Sequence, residues 1–428
     1  MSFSEKHLLL IGTGGPKRRR VLERLRALGL GRLTILHDQP NWAASYCDEW
    51  IAADSSRPSQ QTVDTVRARI GRPDGVLTYD DYSVRVAAHL AQAFDLVGIP
   101  LLAAAQSKDK GAFRRLCVER GLPAPKFVQV EAADPAIDRL LAQRGMSFPV
   151  VVKPAHGGGS VLVRRANDSA ELASVLQAYQ RSVLLEPAAA LWPDHTVVIE
   201  EYLVGAEVDI DMLVQGGKLH YAAVTDNFAP LEPYFMELGG QIPSALPQAA
   251  QAELVRVAFE VVAALGAGDC CVHFEARWTA RGAVPIEANL RVGGAEVYSF
   301  NLEARGVDLV EGAARIALGL PLPAVPPVDP GVFLRSANLI PPGSGALSAM
   351  GVDPWLRKDP ALAELVLFRE EGDRLRVPPD GFDYLGWLVA RGTTRHDAND
   401  QMHRLVDGLH FEVGGTAFNG AFLGELES

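Results

Sequence analysis

The stretch PIEANLRVGGAE (residues 285–296) sets Glu287, Asn289 and Arg291 at every second position of a largely apolar run that ends in Gly293 and Gly294. Alternate residues of a strand share one face, so an acid, an amide and a guanidinium project together. Just upstream, CCVHFEARW (270–278) is a second strand candidate, and TARG between the two is a turn signal. The pair is expected to form an antiparallel hairpin that brings Glu275 near Glu287. No other feature limits the fold as much. Burying such a face without partners or a purpose is costly. One reading is a satisfied Glu–Arg ion pair on a solvated face. The flanking Pro285, Ile286, Ala288, Leu290 and Val292 are apolar and favour a cleft. Two carboxylates and an amide oxygen are hard donors, the set Mg²⁺ uses beside nucleotide phosphates. Arg291 is suited to a carboxylate or a transferring phosphoryl group, and the two glycines admit a substrate closely.

The rest of the chain supplies a frame. HLLLIGTGG (7–15), RLTILHD (32–38) and DGVLTYDDYSVRVAAHLAQAFDL (74–96) give apolar runs alternating with helical periodicity. That pattern predicts a parallel sheet flanked by helices over residues 1–104. The GTGG loop lacks the full dinucleotide fingerprint; it reads as a tight strand-to-helix turn or as a substrate-facing loop. Asp109 is a helix cap, and GLPAP stops that helix. Strand candidates follow at 196–203, in the pair within 207–224 and in the hairpin above, with a helix over 251–267. The Pro-rich run 319–331 reads as a boundary, followed by short strands and a helix over 396–408. The fold class expected is therefore mixed α/β and α+β, in three parts: 1–104, 105–325 and a β-rich 326–428.

Composition narrows the function. A net charge of -11 argues against a nucleic-acid or anionic-membrane binder. No apolar stretch approaches the roughly 20 residues of a membrane span. Cys47, Cys117, Cys270 and Cys271 form no C-x-x-C pair, so neither a zinc site nor a disulfide framework is expected. The N-terminus has no signal-like h-region, and a reduced, cytoplasmic protein is expected.

A second informative stretch is VVVKPAHGGGSVLVRR. Three glycines allow backbone N–H groups close to a phosphate, and Lys153 adds charge. The residues after them are β-prone, so this is no P-loop. It is a glycine flap able to close over a nucleotide, or a flexible hairpin with a solvated lysine. In VVIEEYLVGAEVDID, Glu200 and Glu207 lie seven apart across Gly205. Beside the other two sites, one acid fits a purine amino group and the other ribose hydroxyls.

Taken in order, a lysine before a helix, a lysine with a glycine hairpin, E-E-Y-L-x-G-x-E and a paired F-E…E-x-N-x-R-x-G-G resemble the ATP-grasp superfamily over roughly residues 105–320. The resemblance implies a three-part fold with a lid at about 147–205, ATP as cosubstrate, and Mg²⁺ with Mn²⁺ as a substitute. It implies that Lys110 and Lys153 touch ATP phosphates and that His156, Gly157, Gly158, Gly159 and Ser160 form the mobile loop. Glu200, Glu201 and the backbone near Leu203 match the adenine-reading hinge, and Glu207 the ribose acid. Glu275, Glu287 and Asn289 match the metal ligands, and Arg291 the arginine that steadies the transferred group. Within the superfamily the chain is similar to the amino-acid ligases that make dipeptides. Their segment E-x-G-H-x-x-P-S corresponds to Glu237, Gly239, Pro243 and Ser244, with Gly240 where the histidine stands. A glycine there implies either room for a bulkier substrate or another residue in the histidine's role, while Glu237 suits a substrate ammonium. The implied activity joins a small carboxylate to an amine through an acyl phosphate. The implied partners are small molecules, and a homodimer is common among similar proteins. The alternatives are a biotin-carboxylase-like or purine-pathway enzyme activating bicarbonate, and an ATP-binding module without turnover. Glu296, five residues past Arg291, is the acid on which the first alternative turns, with Gly293 and Gly294 where carboxylases carry Gln-Val-Glu.

Overall fold

The computed structural model describes residues 2–133, 136–182, 196–327 and 331–419. Residues 328–330 of the Pro-rich run, 183–195 of the expected lid and 420–428 of the C-terminal part lie outside the described residues.

The apolar runs of the first hundred residues form β1 (His7–Ile11), β2 (Arg32–His37), β3 (Glu49–Ala52) and β4 (Gly75–Thr78). They pair in parallel in the order β3-β2-β1-β4. Leu8 to Ile11 are buried throughout, as a strand covered on both faces requires.

A second, antiparallel sheet has the order β5-β8-β6-β7 and comprises β5 (Phe127–Glu131), β6 (Val150–Pro154), β7 (Arg164–Ala166) and β8 (Thr196–Glu201). The glycine stretch links β6 to its antiparallel neighbour β7, so it is a hairpin flap as its β-prone flanks imply.

The largest sheet begins with β9 (Gly205–Gln215), β10 (Lys218–Asn227), β11 (Gly240–Ile242), β12 (Cys270–Thr279) and β13 (Gly282–Asn289). The C-terminal part contributes β14 (Phe333–Leu339), β15 (Gly345–Val352), β16 (Leu362–Leu367), β17 (Arg374–Leu375), β18 (Gly386–Gly392), β19 (Leu409–Val413) and β20 (Thr416–Phe418). The sheet order β13-β12-β9-β10-β11-β14-β18-β16 carries the C-terminal strands onto the same sheet as the polar hairpin, while β17-β15-β19-β20 form a fourth sheet.

Alternation divides the central strands cleanly. Val208, Ile210, Met212, Phe274 and Ala276 pack with the helix Gln248–Leu265 in one core. Glu207, Asp209, Asp211, His273, Glu275 and Arg277 take the intervening positions and so project from the other face. The hairpin expected over 270–292 forms with Glu275 directly opposite Glu287. Its second strand ends at Asn289, and Arg291 lies just past that end. The four cysteines are free thiols. Among the described residues no helix is long and apolar enough to cross a membrane.

Candidate active site

The polar face of β13, β12 and β9 is built in rungs. Glu287, Glu275 and Asp209 lie side by side on neighbouring strands; Asn289, His273 and Asp211 form the next rung. Burial raises Glu275 to about 7, with the Glu287 charge adding to it. Burial likewise brings Asp209 to about 7, with Glu275 and Asp211 adding and His273 opposing. Burial alone would lower His273, but Asp209 and Asp211 outweigh it and bring the imidazole to about 9. Its Nδ1 is 2.9 Å from Asp211 Oδ1. Asn289 donates to Glu275 Oε1 at 3.1 Å.

Two lysines bound this acidic rung. Lys108 Nζ donates to Asn289 Oδ1 at 2.8 Å and to Asp81 Oδ1 at 2.6 Å. Lys110 Nζ lies 3.4 Å from Glu287 Oε1 and donates to the Gly157 carbonyl at 3.0 Å. Burial opposes ionisation of Glu287, yet Lys110 and Lys108 hold its pKa below the ordinary value. Arg291 pairs with Asp81. These donors fit a divalent cation. They are hard oxygens, and two adjacent carboxylates crowd each other enough to raise one of them. Among the described residues no cluster of three or more His, Cys, Asp or Glu forms a cage by itself. Glu275, Glu287 and Asn289 are then a partial set of the kind that phosphate oxygens complete.

A narrow cavity lies between the β5–β8 sheet and this face. Lys110, Lys153, Gly157, Gly158, Gly159, Ser160, Glu200, Glu201, Leu203, Glu207, Glu275 and Glu287 line it. Positive φ at Gly157, Gly159 and Ser160 curls the flap over it. Glu200 is fixed by Arg114 at 2.7 Å and Lys153 at 2.8 Å. Burial resists its ionisation, but the two cations hold it at about 2. Arg277 fixes Glu207 at 2.7 Å and donates to the Leu203 carbonyl at 2.5 Å. His156 is not on this wall; its Nδ1 lies 3.0 Å from the Lys108 carbonyl oxygen.

A second cavity, of about 750 Å³, opens beyond the first. The two share Gly158, Gly159, Val161, Glu207, Glu237 and Glu275 as common wall. Arg291, Gly294 and Glu296 line the larger cavity. Gly293 does not: its carbonyl accepts from Arg18, and a side chain there would strike Val297. Glu237 is solvent-exposed on the wall that the two cavities share; partial desolvation by the surrounding protein, with the Asp209 and Glu296 charges, raises it to about 7. Glu296 accepts from Ser336 Oγ at 2.5 Å, and that hydroxyl in turn accepts from the Gly240 N–H at 2.8 Å. A Cβ at Gly240 would lie 2.6 Å from the Asp226 carbonyl oxygen. The glycine therefore leaves no extra room in the cavity, because the β10 backbone already fills that space.

Two family models match this chain: an ATP-grasp domain over residues 146–298 and an L-amino acid ligase C-terminal domain 2 over residues 338–414. The chain thus carries an ATP-grasp domain over residues 146–298. It is 30% identical to carnosine synthase 1 of Gallus gallus over 334 residues, covering 75% of this chain and 36% of that protein, so the chain spans little over a third of that relative's length. The structure superposes on the L-amino acid ligase of Bacillus licheniformis with a TM-score of 0.82 at 20% identity, over 96% of this chain and 99% of that one. A biotin carboxylase from Campylobacter jejuni gives 0.70 at 17% identity, over 95% and 92%. At these identities the structural likenesses establish the ATP-grasp fold alone.

The sequence reading passed over Lys108, Asp81, Arg114, Asp209, Asp211, His273 and Arg277. Glu207, Asp209 and Asp211 follow the same two-residue rhythm that exposed Glu287 and Asn289, so that signal was present. Asp81 and Arg114 are long-range partners with no local mark.

Proposed function

We propose that the chain is an ATP-dependent carboxylate–amine ligase that joins an amino acid or similar small carboxylate to an amine and releases ADP and phosphate. One observation carries the reading. A cavity closed by a glycine flap and two lysines meets a larger cavity at Glu275, and the larger one offers both Arg291 and the acids Glu237 and Glu296. A nucleotide suits the first cavity, with Lys110 and Lys153 toward its phosphates and Glu207 toward ribose hydroxyls. Glu275, Glu287 and Asn289 would hold Mg²⁺, which when bound offsets charge on phosphate oxygens.

The substrate carboxylate, beside Arg291, attacks the γ-phosphorus. An O–P bond forms, and the bond to the ADP oxygen breaks. The amine nitrogen, freed of its extra proton, then attacks the acyl carbon. A C–N bond forms, the C–O bond to phosphate breaks with its electron pair, and the nitrogen gives up a second proton. Arg291 neutralises the oxygen charge of both steps. Gly157 to Gly159, closed over the junction, keep water from the acyl phosphate. The names carnosine synthase and L-amino acid ligase borne by the relatives support this reading.

A bicarbonate-activating reaction is the second reading. It is favoured by Glu296, which lines the cavity beyond Arg291 and is buried against Ser336. Phosphate release measured with single and paired amino acids, and with bicarbonate, separates the two. Release that requires an amino-acid pair and yields an amide by mass supports the ligase. Release with bicarbonate alone refutes it.

A further inference from the structure

The loop after β1 has no part in the reading above. In an open parallel sheet, ligands gather at the carboxyl ends of the strands where the strand order reverses. In the order β3-β2-β1-β4 that point lies between β1 and β4. The loops leaving these two strands, residues 13–18 and 79–82, both line the larger cavity. Positive φ at Gly14 and Gly15 bends the first loop. Buried Arg18 clamps it by donating to the carbonyls of Gly293 and Val292, the latter at 3.4 Å. Arg18 is thus spent on backbone, and Lys17 is left facing the cavity. Among the described residues Lys17 makes no hydrogen bond or ion pair. Its side chain is solvent-exposed within the cleft, and partial desolvation with the like charges of Arg18 and Arg291 pulls its pKa below that of an ordinary lysine. It is a cation on a clamped loop, open to an anion that enters the cavity. It lines the larger cavity and not the narrow one, so the anion it meets is one that occupies the larger cavity.

We propose, resting on the ligase reading, that Lys17 captures the carboxylate of the amine-donating substrate, which is therefore itself an amino acid or a peptide. The activated carboxylate has to lie at the Glu275 junction beside Arg291. The second substrate's own carboxylate takes no part in bond formation and stays ionised in the product. A cation on the clamped loop holds it away from the phosphoryl path, while Glu237, Asp209 and Glu296 supply the anionic wall for the ammonium end before it is deprotonated.

The test compares the twenty amino acids with their C-terminal amides as acceptors, in the wild type and in Lys17→Met. For the best acceptor, the wild type favours the acid over the amide in kcat/KM. Lys17→Met reduces that ratio on the order of tenfold to a hundredfold, and Lys17→Arg retains most of it. The ratio compares two acceptors within one preparation, so partial misfolding of a variant cancels. A wild type indifferent to the amide, or a ratio unmoved in Lys17→Met, overturns the role of Lys17 and leaves the ligase reading standing. Absence of amide formation with every acceptor overturns the ligase reading, and the inference with it.

Discussion

Replacing Arg114 with Met tests how the cavity beneath the glycine flap is held open. Arg114 is 0% exposed and Glu200 2% exposed. The pair meets at 2.7 Å, and a second guanidinium nitrogen donates to the Ile286 carbonyl at 2.7 Å. Removing one partner of a buried pair costs about 3–5 kcal/mol. Lys153 remains 2.8 Å from the other Glu200 oxygen, which places the loss at the low end. The stranded Ile286 carbonyl adds about 1 kcal/mol, giving about 4 kcal/mol in all. A local readout suits a chain of several sheets. Native-state hydrogen exchange of the β8 amides is expected to quicken roughly a hundredfold to a thousandfold. The double variant with Glu200→Gln should recover about 2 kcal/mol, because it no longer buries a carboxylate short of a partner. The pH dependence has a definite sign. Glu200 titrates near 2 in the folded protein against about 4.3 for an ordinary glutamate. Its stabilisation is present above about 4.3 and is lost as pH falls through 2, so the penalty of Arg114→Met narrows in that window. An exchange rate unchanged in β8, or a penalty identical at about pH 7 and about pH 3.5, would refute the argument.

Glu287→Gln removes one carboxylate from the acidic rung. ADP formation is expected to fall at least about a hundredfold with the far-UV spectrum unchanged, and near-normal turnover would show the metal set to be elsewhere. Glu237→Ala is expected to raise KM for the amino-acid substrate roughly tenfold or more, with little change for ATP; an equal rise for both removes Glu237 from that role. Gly240→Ala forces a methyl to within 2.6 Å of the Asp226 carbonyl and should cost about 1–3 kcal/mol in urea denaturation. An unchanged midpoint would mean that β10 yields without cost.

Much of the architecture was legible because it follows from periodicity. Leu8 to Ile11 announced a strand covered on both faces, and Glu287 with Asn289 announced a polar face opposite apolar neighbours. The site was legible where two acids stood on one hairpin, since TARG alone brings Glu275 opposite Glu287. It was illegible where a partner comes from elsewhere in the chain. Nothing near Asp81 signals Arg291 or Lys108, and nothing near Glu200 signals Arg114. Gly240 shows the other limit. A missing side chain reads as space in one dimension, but in the fold that space belongs to the β10 backbone. Gly293 is similar: it was expected at the substrate and instead receives Arg18.

The eight-stranded sheet has a consequence for how this protein can be divided. The two family models meet nowhere in the sequence, one ending at 298 and the other beginning at 338. Yet β11 pairs directly with β14, with Gln241 opposite Arg335 and Ile242 opposite Leu334. The far wall of the larger cavity, including Asn338 and Trp387, is built on β14 and β18. A fragment ending between the two matched regions would bare the edge of β11 to self-association and strip the larger cavity of the side built by Asn338, Phe368, Phe382, Tyr384, Gly386 and Trp387. The C-terminal segment is thus no detachable module: the border drawn by sequence families runs across an unbroken ladder of hydrogen bonds.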